Sequence, residues 1–259
     1  MYNDGNRGFS KSRLIMGLVL ALFAVASYYM SSETNPITGE VQRISISPDQ
    51  EIVLGLQAVP EMQRQYGGLA EDDARQQRVQ RIGTTLIQGS VASKTDWKYD
   101  FHVLADPETV NAFALPGGQV FITQALLDKL ETDDQVAGVL AHEITHVVAR
   151  HGAQKLAKMQ LAQGLSGAAV VASGDYSSGQ LVQMVGQMVG MKYGREDELE
   201  SDSFGVRIMH EAGYDPRAMI EVMKILEASS GGGRQLEFFS THPNPENRIE
   251  RIEEAIRQL

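Results

Sequence analysis

The stretch VAGVLAHEITHVV, residues 136–148, decides how this chain is read. It is apolar on most of its circumference at helical period, so it predicts a central, buried helix. Thr132 is placed to cap that helix, with Asp133 and Asp134 complementing its dipole in the first turn. His142 and His146, four positions apart, share one helical face, and Glu143 lies beside them. Two such imidazoles can hold one zinc ion, while the carboxylate takes a proton from a water that the ion activates. Gly138 and Ala149, a turn to either side, leave room for a metal, a substrate or another helix.

A hydrolytic zinc site needs a third protein ligand and one position open to water. Met184, Met188, Met191, Glu198, Asp202, Val206 and Met209 recur at three- and four-residue spacing, which predicts one long helix from Gly179 to about Glu211. Glu198 and Asp202 continue its apolar face, and inward carboxylates require a cation or hydrogen-bond donors. Glu198 is therefore expected as the third ligand, and Asp202 as the group orienting a ligand imidazole. Glu196 and Glu200 fall off the stripe and read as solvated charges. A developing oxyanion needs one donor besides the metal, for which Tyr193, Arg195 and His242 are candidates. His151 does not complete a metzincin-type site, because it comes five rather than six positions after His146 and Ala149 stands where glycine is needed. It reads as a helix C-terminal residue near its cap.

Around this helix the pattern is α+β and mainly helical. Helices are expected from Ser47-Pro48-Asp49 to about Tyr66, from Glu71 to about Gly89, from Asp215-Pro216 to about Ala228, and from Glu246 to Leu259. Residues 98–104, Val110–Ala114 and Gln119–Ile122 alternate as strands of a small sheet, with Leu115-Pro116-Gly117-Gly118 as a tight turn. Asn111, Ala112 and Phe113 are the candidate edge, able to hold an extended peptide by main-chain hydrogen bonds. His102, inside a strand pattern, reads as structural. Leu161–Ser173, rich in glycine and alanine and too short to span a membrane, reads as part of a close-packed helical hairpin. Ser229–Arg234 is expected to be mobile, and Ser240-Thr241-His242-Pro243-Asn244-Pro245 to form a rigid polar turn.

With 259 residues and 42% hydrophobic content, the chain can bury one full core. A net charge of -10 and the lack of any basic run after residue 13 exclude nucleic acid as a partner. Because Cys is 0, a metal must be held by His, Asp or Glu. Leu14–Met30 carries no charge and follows Arg7, Lys11 and Arg13, so it reads as an export signal with the N-terminus in the cytoplasm. Ala24-Val25-Ala26 offers a cleavage pattern, and Tyr28-Tyr29 an interfacial anchor. The reading is thus an N-terminal signal or anchor over 1–31, a linker over 32–46 and a catalytic domain over 47–259.

HEITHVVARHG at 142–152, Gly194-Arg195 with Glu198-Leu199-Glu200-Ser201-Asp202, NAFALPGG at 111–118 and STHP at 240–243 together resemble the gluzincin zinc metallopeptidases. That family includes HtpX, the CAAX prenyl endopeptidases and BepA, and the absence of a multi-span membrane core makes the likeness closest to the periplasmic, BepA-like members. The resemblance implies a zincin-type domain with one Zn2+ held by His142, His146 and Glu198. It implies Glu143 as general base, Asp202 beside a ligand, and His242 as a loop residue that donates to the transition state or blocks the metal as a fourth ligand. Ser201 stands where the family usually has alanine. The expected activity is endoproteolysis of unfolded or misassembled envelope proteins, outer-membrane proteins among them. The alternative is a chaperone or assembly factor of the same fold with latent proteolysis.

Overall fold

The computed structural model describes residues 11–173, 192–230, 236–243 and 247–259. Met184, Met188 and Met191, the glycines at 231–233, and Asn244 and Pro245 lie outside them. The chain divides into two compact units. The smaller holds, among described residues, 11–35, 39–45 and 153–173. It begins with α1 (Lys11–Met30) and continues into the strands β1 (Ser32–Thr34) and β2 (Val41–Arg43), paired antiparallel with Ser32 opposite Arg43. The segment expected to be a linker thus contains a short hairpin.

The larger unit opens with α2 (Pro48–Gln65), whose Ser47 cap and Gln50 exchange side-chain-to-backbone bonds, and α3 (Asp73–Gly89), capped by Asp72. Three strands follow: β3 (Asp100–Leu104), β4 (Ala112–Ala114) and β5 (Gln119–Thr123). Their order is β3-β5-β4, with β3 parallel and β4 antiparallel to β5. The turn before β5 requires glycine, since Gly117 has φ +82° and a Cβ there would come within 2.4 Å of Ile52 Cα. After the one-turn α4 (Gln124–Leu127), α5 (Asp133–Val148) starts on the Thr132 cap, completed by Gln135 as a capping box. Every residue of α5 from Gln135 to Val148 is buried.

The helix α6 (His151–Ser173) leaves this unit and lies mostly in the smaller one. Of the long helix expected from Gly179, residues 179–191 lie outside the described ones, Lys192–Gly194 are not helical, and α7 spans Arg195–Glu211. Gly194 N–H donates to Asp197 Oδ2 at 2.9 Å, so the acidic first turn of α7 supplies its own start. The chain ends with α8 (Ala218–Ser229), α9 (Glu237–Thr241) and α10 (Arg248–Arg257). Two close approaches set the site. A Cβ at Gly138 would meet Met219 of α8 at 3.2 Å, and one at Gly205 would lie 3.4 Å from His142 N. The space beside the histidine face is therefore taken by two helices, and α7 is drawn against α5 so that Glu198 and Asp202 face the histidines.

Candidate metal centre

His142, His146, Glu198 and His242 are all buried and point donor atoms at one another. His142 Nε2 and His146 Nε2 are 3.1 Å apart, and each is 3.5 Å from a Glu198 oxygen. His242 Nδ1 is 3.4 Å from His142 Nε2 and 3.1 Å from Glu198 Oε1. Ligands about 2.0–2.1 Å from a tetrahedral zinc would be separated by roughly 3.3–3.4 Å, so these spacings fit the edges of such a polyhedron. The donor chemistry points the same way. His142 Nδ1–H donates to Asp202 Oδ1 at 2.9 Å, which leaves a lone pair on Nε2 facing another imidazole and a carboxylate. Such a set is held together by a cation.

The two ligand histidines are oriented differently. Asp202 is clamped by Arg248, whose Nε lies 2.6 Å from Oδ2. Burial disfavours a charged His142, but Asp202 and Glu198 outweigh it and push its pKa up to about 9 in the metal-free protein. Burial, opposed by Glu198 and reinforced by His142 and His151, holds the His146 imidazole well below its ordinary pKa. Burial would raise the Glu198 carboxyl, yet His242, His142 and His146 hold it well below the usual carboxylate range. Arg248 does the same for Asp202.

His146 is held by His151, Nδ1 to Nδ1 at 2.9 Å, and His151 Nε2 is 3.1 Å from Glu200 Oε2. These two expectations are corrected. His151 does not cap α5; Arg150, in the left-handed region at φ 55°, turns the chain, and His151 starts α6 with its ring buried under the site. Glu200 is only partly exposed and is paired across the helix interface. Arg248, too, carried no sequence signal of its role.

Glu143 is fully buried and, among the described residues, neither carboxylate oxygen has a hydrogen-bond partner. His242 Nε2 approaches Glu143 Oε1 to 3.6 Å. Tyr193 stacks on His146 with ring centroids 3.8 Å apart, and its amide donates to Thr241 O, next to His242. Burial, then the charges of Glu143 and Glu198, raise its phenol well above the ordinary value, so it stays a donor. Arg195 is exposed at the start of α7 and is not brought to this buried cluster. At the sheet edge, Asn111 O accepts from Thr123 N and Leu115 N donates to Gln119 O. The alternation of an antiparallel ladder therefore turns the backbone polar groups of Ala112 and Ala114, rather than those of Asn111 and Phe113, away from β5. Phe113 itself stacks on Phe121 in the core.

The model of peptidase family M48 matches residues 73–256, which contain all of these groups. The chain belongs to peptidase family M48. Among family relatives it is 34% identical over 88% of its length to mitochondrial metalloendopeptidase OMA1 of Schizosaccharomyces pombe. It is 28% identical over 92% of its length to the beta-barrel assembly-enhancing protease of Escherichia coli, and 27% over 96% to OMA1 of Homo sapiens. It spans 67% of the first relative and 51% of each of the other two. The M48 assignment agrees with the expected gluzincin family and with an α+β, largely helical fold built round a buried His-His-Glu site.

Proposed function

We propose that the chain is a zinc endopeptidase acting on extended segments of polypeptide. The observation that carries this is the convergence of His142, His146 and Glu198 beside the buried carboxylate of Glu143, which accepts no hydrogen bond among the described residues. His142, His146 and Glu198 would hold one zinc ion per chain, which when bound would supply Lewis acidity toward the scissile carbonyl and its attacking water. Glu143 accepts the proton of the attacking water and returns it to the leaving amine. Tyr193 donates to the developing oxyanion, while Asp202 with Arg248 and His151 with Glu200 fix the ligand rings. Ala112 and Ala114 offer the backbone groups that an extended substrate pairs with.

By likeness to the beta-barrel assembly-enhancing protease, the site of action is the periplasm and the substrates are unfolded or misassembled envelope proteins, outer-membrane proteins included. α1 delivers the chain there as a signal or an inner-membrane anchor, residues 32–46 link it, and 47–259 are catalytic. The second reading, a chaperone or assembly factor with latent proteolysis, is favoured by His242 in a fourth ligand position, which leaves no place for water. Purified protein should carry one zinc per chain and degrade casein. Glu143→Gln that retained metal and cleaved as fast as the parent would overturn the mechanism.

A further inference from the structure

We infer that α6 enters the lipid bilayer alongside α1 without crossing it, so that the protein contacts membrane hydrocarbon through two helices. This rests on α1 being a retained anchor. α1 exposes Ile15 (62%), Leu18 (61%), Leu22 (60%) and Phe23 (72%), a surface that suits lipid and not water. Its outer end is marked by Arg43, whose guanidinium lies 5.6 and 4.9 Å from the ring centres of Tyr28 and Tyr29, a grouping suited to the headgroup level.

α6 meets α1 on the hydrocarbon side of that marker. A Cβ at Gly164 would lie 2.8 Å from Ala24 Cβ, the close approach that small residues allow between membrane helices. Around it the two helices line a cavity of about 470 Å³ that runs from Ser27, Tyr28 and Gln160 at the headgroup side to Leu20 and Ala168 at the inner side. At 1.5 Å per residue, Leu20 lies about 12 Å inside Tyr28, so α6 reaches well into one leaflet.

The composition of α6 agrees. Its last charge is the exposed Lys158, and Met159–Ser173 carries none. The Ser166 hydroxyl donates to Ala162 O at 2.9 Å, which satisfies it without water. An uncharged helical run of about 22 Å is too short to span the roughly 30 Å core. Cutting the chain at Ala24-Val25-Ala26 would strip Leu20, Phe23 and Ala24 from α6, so the same packing argues for an uncut α1. Acyl chains of the bilayer are the occupant that suits the inner part of this cavity, walled by Leu20, Phe23 and Ala168, beside a spanning helix.

Since the chain has Cys 0, each introduced cysteine is a unique reporter. Leu165→Cys, Ser166→Cys and Lys158→Cys are reconstituted in phosphatidylethanolamine–phosphatidylglycerol vesicles and treated with a membrane-impermeant maleimide, each normalised to its extent in detergent. The expected result is labelling at 165 and 166 about tenfold slower than at 158 in vesicles and equal to it in detergent. Equal labelling in vesicles overturns the inference for α6 and leaves the anchor standing. A mature chain beginning after residue 26, read by mass, overturns the anchor and this inference together. Neither result bears on the zinc site, which casein hydrolysis by the same variants reports separately.

Discussion

His242 Nδ1 stands 3.1 Å from Glu198 Oε1, the same spacing that separates His142 Nε2 from His146 Nε2. His242 is thus placed where it could serve as a fourth ligand, although it comes from the end of a five-residue helix. With four protein ligands a zinc ion has no vacancy, which is the arrangement of structural rather than catalytic sites. Replacing His242 with alanine should therefore keep the metal on its remaining three ligands and raise casein hydrolysis several-fold. Metal analysis and initial rates check both halves; an unchanged rate removes His242 from the site.

Glu143 makes no hydrogen bond to the described residues in its buried position, so removing its charge should cost little fold and much chemistry. Glu143→Gln should retain zinc and lose about 10²–10⁴ in rate, the usual share of a general base. A loss of metal in step with activity would instead make Glu143 a ligand or a structural residue.

His151 and Glu200 would reach a bound metal only through His146. Losing such a partner typically costs 10–100-fold in metal affinity, so His151→Ala and Glu200→Gln should each release zinc to a chelator at about that lower threshold. The readout is competition with a fluorescent chelator. Affinities equal to the parent's would reduce both residues to packing.

Arg248 neutralises Asp202 where neither can reach water. Arg248→Met alone strands a buried carboxylate and should cost about 3–5 kcal/mol. Adding Asp202→Asn should recover much of that. Thermal melts of the metal-free proteins test it: additive losses in the double variant would show that the two residues are not coupled.

The metal-free protein should have a stability optimum bounded on both sides. His142, raised to about 9 from an ordinary value of 6.5, contributes stability that is full below pH 6.5 and lost as pH rises through 9. Glu198 and Asp202, both depressed, contribute stability that is present above the ordinary carboxylate range and lost as pH falls through their folded values. Zinc replaces the proton on His142, so the alkaline limb should vanish when metal is added. Urea melts at pH 7 and pH 9, with and without zinc, measure this; an alkaline limb that survives loading contradicts it.

What the sequence disclosed of this site follows the range of its signals. Periodicity is local, so a run of apolar residues from 136 to 148 foretells a buried helix, and Glu198 and Asp202 are placed by their spacing to Val206 and Met209 on the same helix. Pairings between distant residues leave no such trace. Arg248 sits in a charged, amphipathic helix whose other arginines are at the surface, and only its contact with Asp202 distinguishes it. His151 looked like a cap because one left-handed residue, Arg150, redirects the chain at a position where glycine would have signalled the turn. Glu200 looked solvated because its partner lies in another helix. The non-helical residues 192–194 were missed since the methionine spacing continued across them.

Arg248 also dates the birth of the site. It lies in the last of the described helices, yet it holds the carboxylate that aims His142. While a ribosome still retains residues around 248, Asp202 lacks its clamp and His142 has no fixed ring orientation. The site therefore matures only when α10 docks, so folding of that late helix, rather than of the helix that bears the histidines, sets when the cluster takes its working geometry.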